Sequence, residues 1–400
     1  MPDFTREMKK QFGSYTVEGA IVYWLLSIDL ILKIIFTIIG LFRKKTVKID
    51  NVPAESINNI LVIEIVGLGD AVLATSIVRP LRTKFPDAKI TFLGNPDFLT
   101  AVSSVFDVTI GLEAPWVRKK SKLQWFNRGW IDFFVNCRKL KKQKYDISFD
   151  ARCDFRSGWL GYLIGAKLRI GFDYGIGKYF YSETVKYREI ALRVKDYKKL
   201  IEHITSGAVD CFPYIVISDS EKSGAQACLK TFGLKPEQYY LIHPGAARKY
   251  KKYPLTKLNE IIRRLHQAYP GLTPLAVGGM EDTGDLHKLM DLSGGKVLSA
   301  VTSLEEVMGL IFFAKTLLCN NTGVMHIAAA LGKKAVVFMG PTDERIWSPW
   351  GEGHLIFQES RGLECHPCGE EICVRPESPC IALIEPGKTA ETIISSGLLD

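Results

Sequence analysis

The sequence predicts an α/β chain of two domains, each built on a parallel sheet wound with helices. Three observations carry this. Seven short, β-rich apolar runs are each stopped by Gly, Asn or Pro: "NILVIEIV", "AKITFLG", "YDISFDA", "YYLIHPG", "LTPLAVGG", "TLLCNNTG" and "KAVVFMGPT". Helical segments such as "LTKLNEIIRRLHQAY" and "TGVMHIAAALG" lie between or after them, an alternation that belongs to parallel sheets. The runs form two clusters, one before about residue 150 and one after about residue 239, and 400 residues with 47 % hydrophobic content suffice for two separate cores.

The N-terminal element comes first. From Gly19 to Phe42 the chain reads "GAIVYWLLSIDLILKIIFTIIGLF", with Asp29 and Lys33 as its only charges, spaced so that they pair on one helix face. It is too long for a signal peptide and runs into Arg43, Lys44 and Lys45 rather than a small-residue cleavage site. Residues 1–56 are therefore expected to form a membrane-associating segment with an apolar helix, spanning or lying in the interface. The trailing basic residues favour a cytoplasmic position for the domain C-terminal to them. The alternative is a buried helix of the globular part.

Residues 57–220 are expected to form the first domain. Between Val117 and Lys144 ten Lys or Arg face a single acid, Asp132, interleaved with Trp125, Phe126, Trp130, Phe133 and Phe134. Such a mixture suits a membrane headgroup layer or a phosphorylated amphiphile, and equally a solvated basic helix with an aromatic core face. Single-stranded nucleic acid is the weaker alternative beside an apolar anchor, and no nucleic-acid partner is expected. A polar passage, "FPYIVISDSEKSGAQACLKTFGLKPEQ", leads into the second domain, residues 221–400. The net charge of +9 is modest and leaves phosphate and anionic membrane as candidate partners. Nine cysteines, five of them scattered through ordinary apolar segments, argue for reduced thiols. The other four, Cys365, Cys368, Cys373 and Cys380, have short spacings that would suit zinc but lack the paired C-x-x-C pattern of a ribbon; free thiols are the expectation, with no metal.

Chemistry is concentrated at the ends of the apolar runs. "VGLGDAVLAT" begins like a dinucleotide fingerprint, but Val72 stands where the third glycine belongs and no acid closes a second strand about twenty residues on. No cofactor is expected. What remains is a tight turn at Gly67 and Gly69 that leaves Asp70 at a helix N-terminus, where it either caps the helix or faces a substrate. In the second cluster "LIHPGAARKYKKYP" places Gly245 and Ala246 after a run, with Lys249, Lys251 and Lys252 behind them. "CNNTGVMHIAAALG" ends a run in Asn320, Asn321 and Thr322 and opens a helix at Gly323, so that free N–H groups and a hydroxyl point out of the sheet edge. Two such turns suit a diphosphate. Glu281 in "AVGGMED" can accept hydrogen bonds from vicinal ribose hydroxyls.

Five blocks in this order, "ILVIEIVGLGDAVLATSIVRPLRTKFPDAKITFLGNP", "YDISFDARCDFRSGWLGYLIGAKLRIGF", "LIHPGAARKYKKYPLTKL", "NNTGVMHIAAALGKKAVVFMGPTDERIWSPWG" and the cysteine group, resemble the signature blocks of the family 9 glycosyltransferases, the lipopolysaccharide heptosyltransferases. The resemblance runs from about residue 57 to 385. It implies the GT-B fold, two Rossmann-like domains facing across a cleft. It also implies an inverting, metal-independent transfer of heptose from ADP-L-glycero-D-manno-heptose to a lipopolysaccharide core or related glycolipid acceptor, at the cytoplasmic face of the inner membrane. By motif, Asp70 takes the general base's place and Lys251 the place of the lysine that meets the donor phosphates. Gly67 and Gly69 fall on the acceptor side, while Gly245, Ala246, Glu281, Asn321, Thr322, Gly323 and His326 fall on the donor side. His326 is equally readable as a packing residue.

The departures are as informative. The family's "DTG" reads Asn321-Thr322-Gly323, which exchanges a carboxylate near the donor for an amide, and a commonly basic position in the first strand is Glu64. The "RKYKKYP" loop is a residue longer than the common spacing, so Lys249 and Lys252 compete with Lys251 for the phosphate role. These departures leave two rivals: a transferase with another nucleotide sugar, and a membrane-anchored binding protein that has lost turnover.

Overall fold

In the computed structural model the described residues are 52–116, 129–150, 152, 155–173, 176–186, 191–205, 207–368, 373–377 and 379–400. The apolar segment at 19–42, the first part of the basic and aromatic stretch, and Cys153 lie outside them. Among the described residues no helix is long and apolar enough to cross a membrane. The chain divides into two compact units, one ending at Phe212 and the next beginning at Pro213.

The first unit holds strands β1 (Asn59–Glu64), β2 (Lys89–Gly94), β3 (Val108–Gly111), β4 (Ile147–Phe149), β5 (Leu168–Phe172) and β6 (Glu183–Val185). Its longer helices are α1 (Leu68–Ala74), α2 (Val78–Lys84), α3 (Gly129–Lys141), α4 (Phe155–Ile164) and α5 (Arg193–Thr205). The second unit holds β7 (Tyr239–His243), β8 (Thr273–Gly278), β9 (Leu298–Val301), β10 (Leu317–Asn320), β11 (Ala335–Phe338) and β12 (Leu355–Phe357). With them come α6 (Asp219–Thr231), α7 (Leu255–Ala268), α8 (Thr283–Leu292), α9 (Leu304–Phe313), α10 (Gly323–Ala330), α11 (Glu344–Trp347) and α12 (Pro386–Ser395).

Both sheets are wholly parallel and share one topology. The first runs β3-β2-β1-β4-β5-β6 and the second β9-β8-β7-β10-β11-β12. Ile60 pairs with Ile90 on one side and Ile147 on the other; Leu241 pairs with Leu275 and Leu317. This is the doubly wound order, and its strand sequence reverses direction between β1 and β4 and between β7 and β10. Crossovers leave the two sides of the sheet at that point, so the carboxyl ends of those strands open onto a crevice.

Burial explains which strands the sequence announces. β1, β2, β4, β7, β8, β10 and β11 are almost wholly buried on both faces, as parallel strands covered by helices must be, and these are the seven apolar runs. The edge strands β3, β6, β9 and β12 are three or four residues long and half-exposed, so they lack a continuous run. β5 is buried throughout, but its run is broken by Arg169, whose guanidinium donates to the carbonyls of Phe180 and Ala166 at 2.7 and 2.8 Å. A buried arginine satisfied by backbone reads as polar in sequence and behaves as core in the fold.

Helices begin where chemistry lets them. α6 and α9 each open on a reciprocal capping box, Ser218 with Glu221 and Ser303 with Glu306. α7 buries Leu258, Ile261, Ile262 and Leu265, the i, i+3, i+4, i+7 stripe of an amphipathic helix, each contributing about 1.5–3 kcal/mol on burial. They join Tyr240, Ile242 and Phe338 in the core of the second unit, where Tyr253 stacks on Phe338 with centroids 4.4 Å apart. In the first unit Leu61, Ile63, Phe133, Leu140 and Leu160 form the corresponding core.

Where α9 meets α6, a Cβ on Gly309 would lie 2.5 Å from the Glu221 carbonyl and 2.7 Å from the Ala225 methyl. Gly309→Ala is expected to force these helices apart and cost about 1–3 kcal/mol; an unchanged denaturant midpoint would refute that contact.

Candidate active site

Each sheet gathers polar side chains at its reversal point, and each set is built by the backbone around it. In the first unit β1 ends at Glu64 and the chain turns through Gly67, the N-cap of α1, which carries no side-chain cap bond. Asp70 occupies the third helical position. It is not the cap, but an anion there is favoured by the helix N-terminus. A Cβ on Gly67 would come within 2.9 Å of Asp70 Oδ2, so glycine leaves the carboxylate room to fold back over the turn. β4, across the reversal point, ends next to Asp150 and Arg152, and the Arg152 amide donates to Asp150 Oδ1 at 3.0 Å.

These groups form one network. Arg152 Nη1 lies 3.4 Å from Asp70 Oδ2 and 3.8 Å from Glu64 Oε1. Tyr197, from α5, donates its hydroxyl toward Glu64 Oε2 at 3.5 Å and toward the Asp70 carbonyl at 3.4 Å. Glu64 is 2 % exposed and Asp70 8 %. Asp70 Oδ1 is buried without a hydrogen-bond partner among the described residues. A buried, unsatisfied carboxylate oxygen is costly unless something else donates to it, and a substrate hydroxyl is such a donor.

Burial pushes the Glu64 carboxyl up from 4.5 to about 8, with the neighbouring Asp70 charge adding to it and Arg152 and Arg193 opposing. Near neutrality Glu64 therefore holds a proton, and Arg152 is left to Asp70. The Tyr197 hydroxyl is held well above its ordinary value by its own burial and then by Glu64, so it stays a donor.

In the second unit β7 ends at His243 and the chain turns through Pro244, Gly245 and Ala246. The neighbouring strand β10 ends at Asn320, which is 2 % exposed. Its amide accepts from the Tyr253 N–H at 3.0 Å and donates to the carbonyls of Pro244 and Gly245 at 2.7 and 3.2 Å. One side chain thus fixes the turn after β7 and the entry to α7. In the sequence Asn320 shows only as the end of a run. Its role is invisible without the register of β7 on β10.

The predicted donor residues gather around this amide. Asn321 comes directly after it and contacts Met325 Sδ at 3.9 Å through its Nδ2. Thr322 is the N-cap of α10 in extended conformation with no side-chain cap bond, and its Oγ1 is buried and unpartnered. Gly323 opens the helix, and its N–H and that of Val324 belong to the set that an α-helix leaves unpaired. His326 lies deeper, 3 % exposed; burial and then the neighbouring His354 push its imidazole down to about 4, so it is neutral. It can offer a hydrogen bond and no charge.

The lysines sort themselves by partner. Lys252 Nζ is paired with Asp282 at 3.1 Å and Asp285 at 2.6 Å. Among the described residues no carboxylate lies within ion-pair reach of Lys251, and burial, then the charge of Arg248, lowers its ammonium. A half-buried ammonium without a counter-ion favours an incoming anion. Asp282 also fills the space where a Cβ of Gly245 or Gly278 would sit. Glu281, beside it, is exposed at the end of β8. The four C-terminal cysteines are free thiols, and among the described residues no cluster of His, Cys, Asp or Glu is arranged to hold a metal ion.

Residues 135–377 match glycosyltransferase family 9 (heptosyltransferase). The chain belongs to that family. As a family 9 member it is a glycosyltransferase, and its relatives agree in kind. Lipopolysaccharide heptosyltransferase 3 of Escherichia coli is 22 % identical over 315 residues, covering 72 % of this chain and 85 % of that protein. Among solved structures, the family 9 glycosyl transferase of Veillonella parvula superposes with a TM-score of 0.70 at 18 % identity, over 87 % of this chain and 98 % of the other. The E. coli ADP-heptose LPS heptosyltransferase II gives 0.64 at 19 %, over 85 % and 98 %. The α/β architecture with two parallel sheets is thus the fold of family 9 enzymes.

The residues that motif reading misses are Arg152, Tyr197, Asn320 and Asp282, all contributed by distant segments or by backbone pairing. Glu64 is visible in the sequence as an acid in the first apolar run, without its proton.

Two measurements test this geometry. Because the folded state binds the Glu64 proton more tightly than the unfolded chain, this group lowers stability as pH rises from about 4.5 to about 8. Glu64→Gln is expected to become progressively more stable than the parent across that window, by on the order of a few kcal/mol; parallel stability curves would contradict the buried proton. Asn320→Ala strands one N–H and two carbonyls and is expected to cost about 2–4 kcal/mol in urea unfolding, whereas a loss below about 0.5 kcal/mol would show that the amide bonds carry no weight.

Proposed function

We propose that the chain transfers heptose from ADP-L-glycero-D-manno-heptose to a hydroxyl of a lipopolysaccharide core or related glycolipid. The reading rests on family membership, on the relatives' stated donor and acceptor, and above all on the buried, unpartnered Asp70 Oδ1 at the reversal point of the first sheet. Asp70 removes the proton of the acceptor hydroxyl as its oxygen attacks the anomeric carbon and the bond to ADP breaks. A single displacement of this kind inverts the configuration. Arg152 orients the carboxylate, and the protonated Glu64 leaves Arg152 to it. Gly67 and Gly69 let the turn approach the acceptor.

The donor belongs to the second unit. Gly245, Ala246 and the α10 N-terminus at Thr322 and Gly323 offer backbone and hydroxyl hydrogen bonds to the diphosphate. Lys251 meets the charge that develops on departing ADP, so the transfer proceeds without a divalent cation. Glu281 holds the ribose hydroxyls, and His326 supports the phosphate turn as a neutral group. Asn321, in place of the family's acid, touches sugar or phosphate as an amide; this favours, as a second reading, a nucleotide sugar other than ADP-heptose. The N-terminal segment attaches the enzyme to the cytoplasmic face of the inner membrane.

Turnover with a panel of nucleotide sugars and lipid-linked acceptors decides among these. Asp70→Asn, nearly isosteric, should lower kcat about 100- to 10,000-fold with ADP-heptose as the preferred donor and EDTA without effect. Full activity in Asp70→Asn would remove the base, and preference for another sugar would replace the donor.

A further inference from the structure

Helix α3 is apolar on two opposite sides. Phe133, Cys137 and Leu140 face the core of the first unit and are 1, 3 and 5 % exposed. Trp116, Trp130 and Trp159 pack around Phe133 with centroids 5.1, 5.9 and 5.8 Å away, which fixes the helix rotation. Turned from Phe133, Cys137 and Leu140, Ile131 and Val135 are 64 and 44 % exposed; Phe134 borders the aromatic cluster, with centroids 5.5 Å from Phe133 and 6.0 Å from Trp159, and still leaves 43 % of its surface exposed. The i, i+3, i+4 spacing of Ile131, Phe134 and Val135 makes one stripe, and Arg138 and Lys139 continue it at i+7 and i+8, both exposed. Exposed Lys141, Lys142 and Lys144 extend the positive end beyond the last turn, while Asp132 is the only acid on the helix.

Single exposed apolar side chains need no explanation. Three in one stripe, bordering a well-filled core and running into a basic tail, do. An aliphatic and aromatic stripe beside clustered Lys and Arg matches the boundary of an anionic bilayer, where side chains enter the acyl edge and ammonium groups meet lipid phosphates. Ile131 and Val135 offer no ring on which a base could stack, which disfavours single-stranded nucleic acid.

We propose that the Ile131, Phe134 and Val135 face of α3, with Arg138 and Lys139, docks the folded enzyme on an anionic phospholipid surface. This contact is separate from the N-terminal segment and presents the first unit to the membrane in one orientation. It rests on the lipid-borne acceptor reading for the presence of a membrane. Its test uses no turnover, so a failed acceptor assignment and a failed docking face are told apart.

The experiment is amide hydrogen exchange over residues 129–142 of the full chain, with no vesicles, with phosphatidylcholine vesicles, and with vesicles of equal parts phosphatidylcholine and phosphatidylglycerol. Exchange is expected to slow about tenfold or more on the anionic vesicles alone. Ile131→Ser/Phe134→Ser/Val135→Ser should abolish the slowing, and Arg138→Gln/Lys139→Gln/Lys142→Gln should do so with the helix surface intact and the parent's Tm. Unchanged exchange in α3 while the chain floats with vesicles would overturn the proposal. So would slowing that needs no lipid but grows with protein concentration, or slowing produced equally by a single-stranded oligonucleotide.

Discussion

The amide of Asn320 holds the second unit's chemistry in place. A parallel strand buried on both faces delivers its last residue into a crevice where backbone groups of adjoining loops still need partners. Asn320 supplies one acceptor and two donors in a single planar group, and all three bonds go to backbone. Tyr253, whose N–H it receives, is stacked on Phe338 and bonded through its hydroxyl to the Ile384 carbonyl at 3.1 Å. The turn after β7 is thereby tied to the hydrophobic core rather than left as a free loop. The unsatisfied Thr322 hydroxyl and the helix start at Gly323 come directly after that fixed point.

The first unit solves a different problem with the same strand order. There the reversal point sets the Glu64 and Asp70 carboxyl groups within reach of the same Arg152 guanidinium, and burial together with the neighbouring Asp70 charge disfavours ionising Glu64 as well. Burial resolves the conflict by leaving the proton on Glu64, the more deeply buried of the two. Tyr197 stitches both groups to α5, so the geometry of Asp70 is set from β1, β4 and α5 together. A basic residue at position 64 would give Asp70 a permanent cation in place of a neutral acid.

How much of this is legible in the sequence depends on what each residue's role requires. The interior strands show as apolar runs because helices cover both faces. The edge strands do not, and β5 is hidden by Arg169. Asp70 and Thr322 can be found because a tight turn after a strand is a local pattern. Arg152, Tyr197 and Asp282 cannot, because their meaning arises only when strands distant in sequence lie side by side. The lysine ambiguity of "RKYKKYP" is open in the sequence and is narrowed by pairing, since Lys252 has two carboxylate partners and Lys251 has none among the described residues. The apolar N-terminal segment is read from sequence alone.

The shared strand order also bears on how the chain is made. In both sheets the central strand pairs first with the strand next in sequence, and its other edge waits for one much later: Ile60 for Ile147, Leu241 for Leu317. Until then β1 and β7, among the most apolar segments of the chain, each carry an open hydrogen-bonding edge during synthesis. Non-local parallel pairing of this kind is slow and exposed to aggregation. The residues at the reversal points are thus brought together only when that late pairing forms. Their chemistry becomes possible only once the vulnerable edge has closed, so a nascent chain that stalls before β4 or β10 is both sticky and inactive.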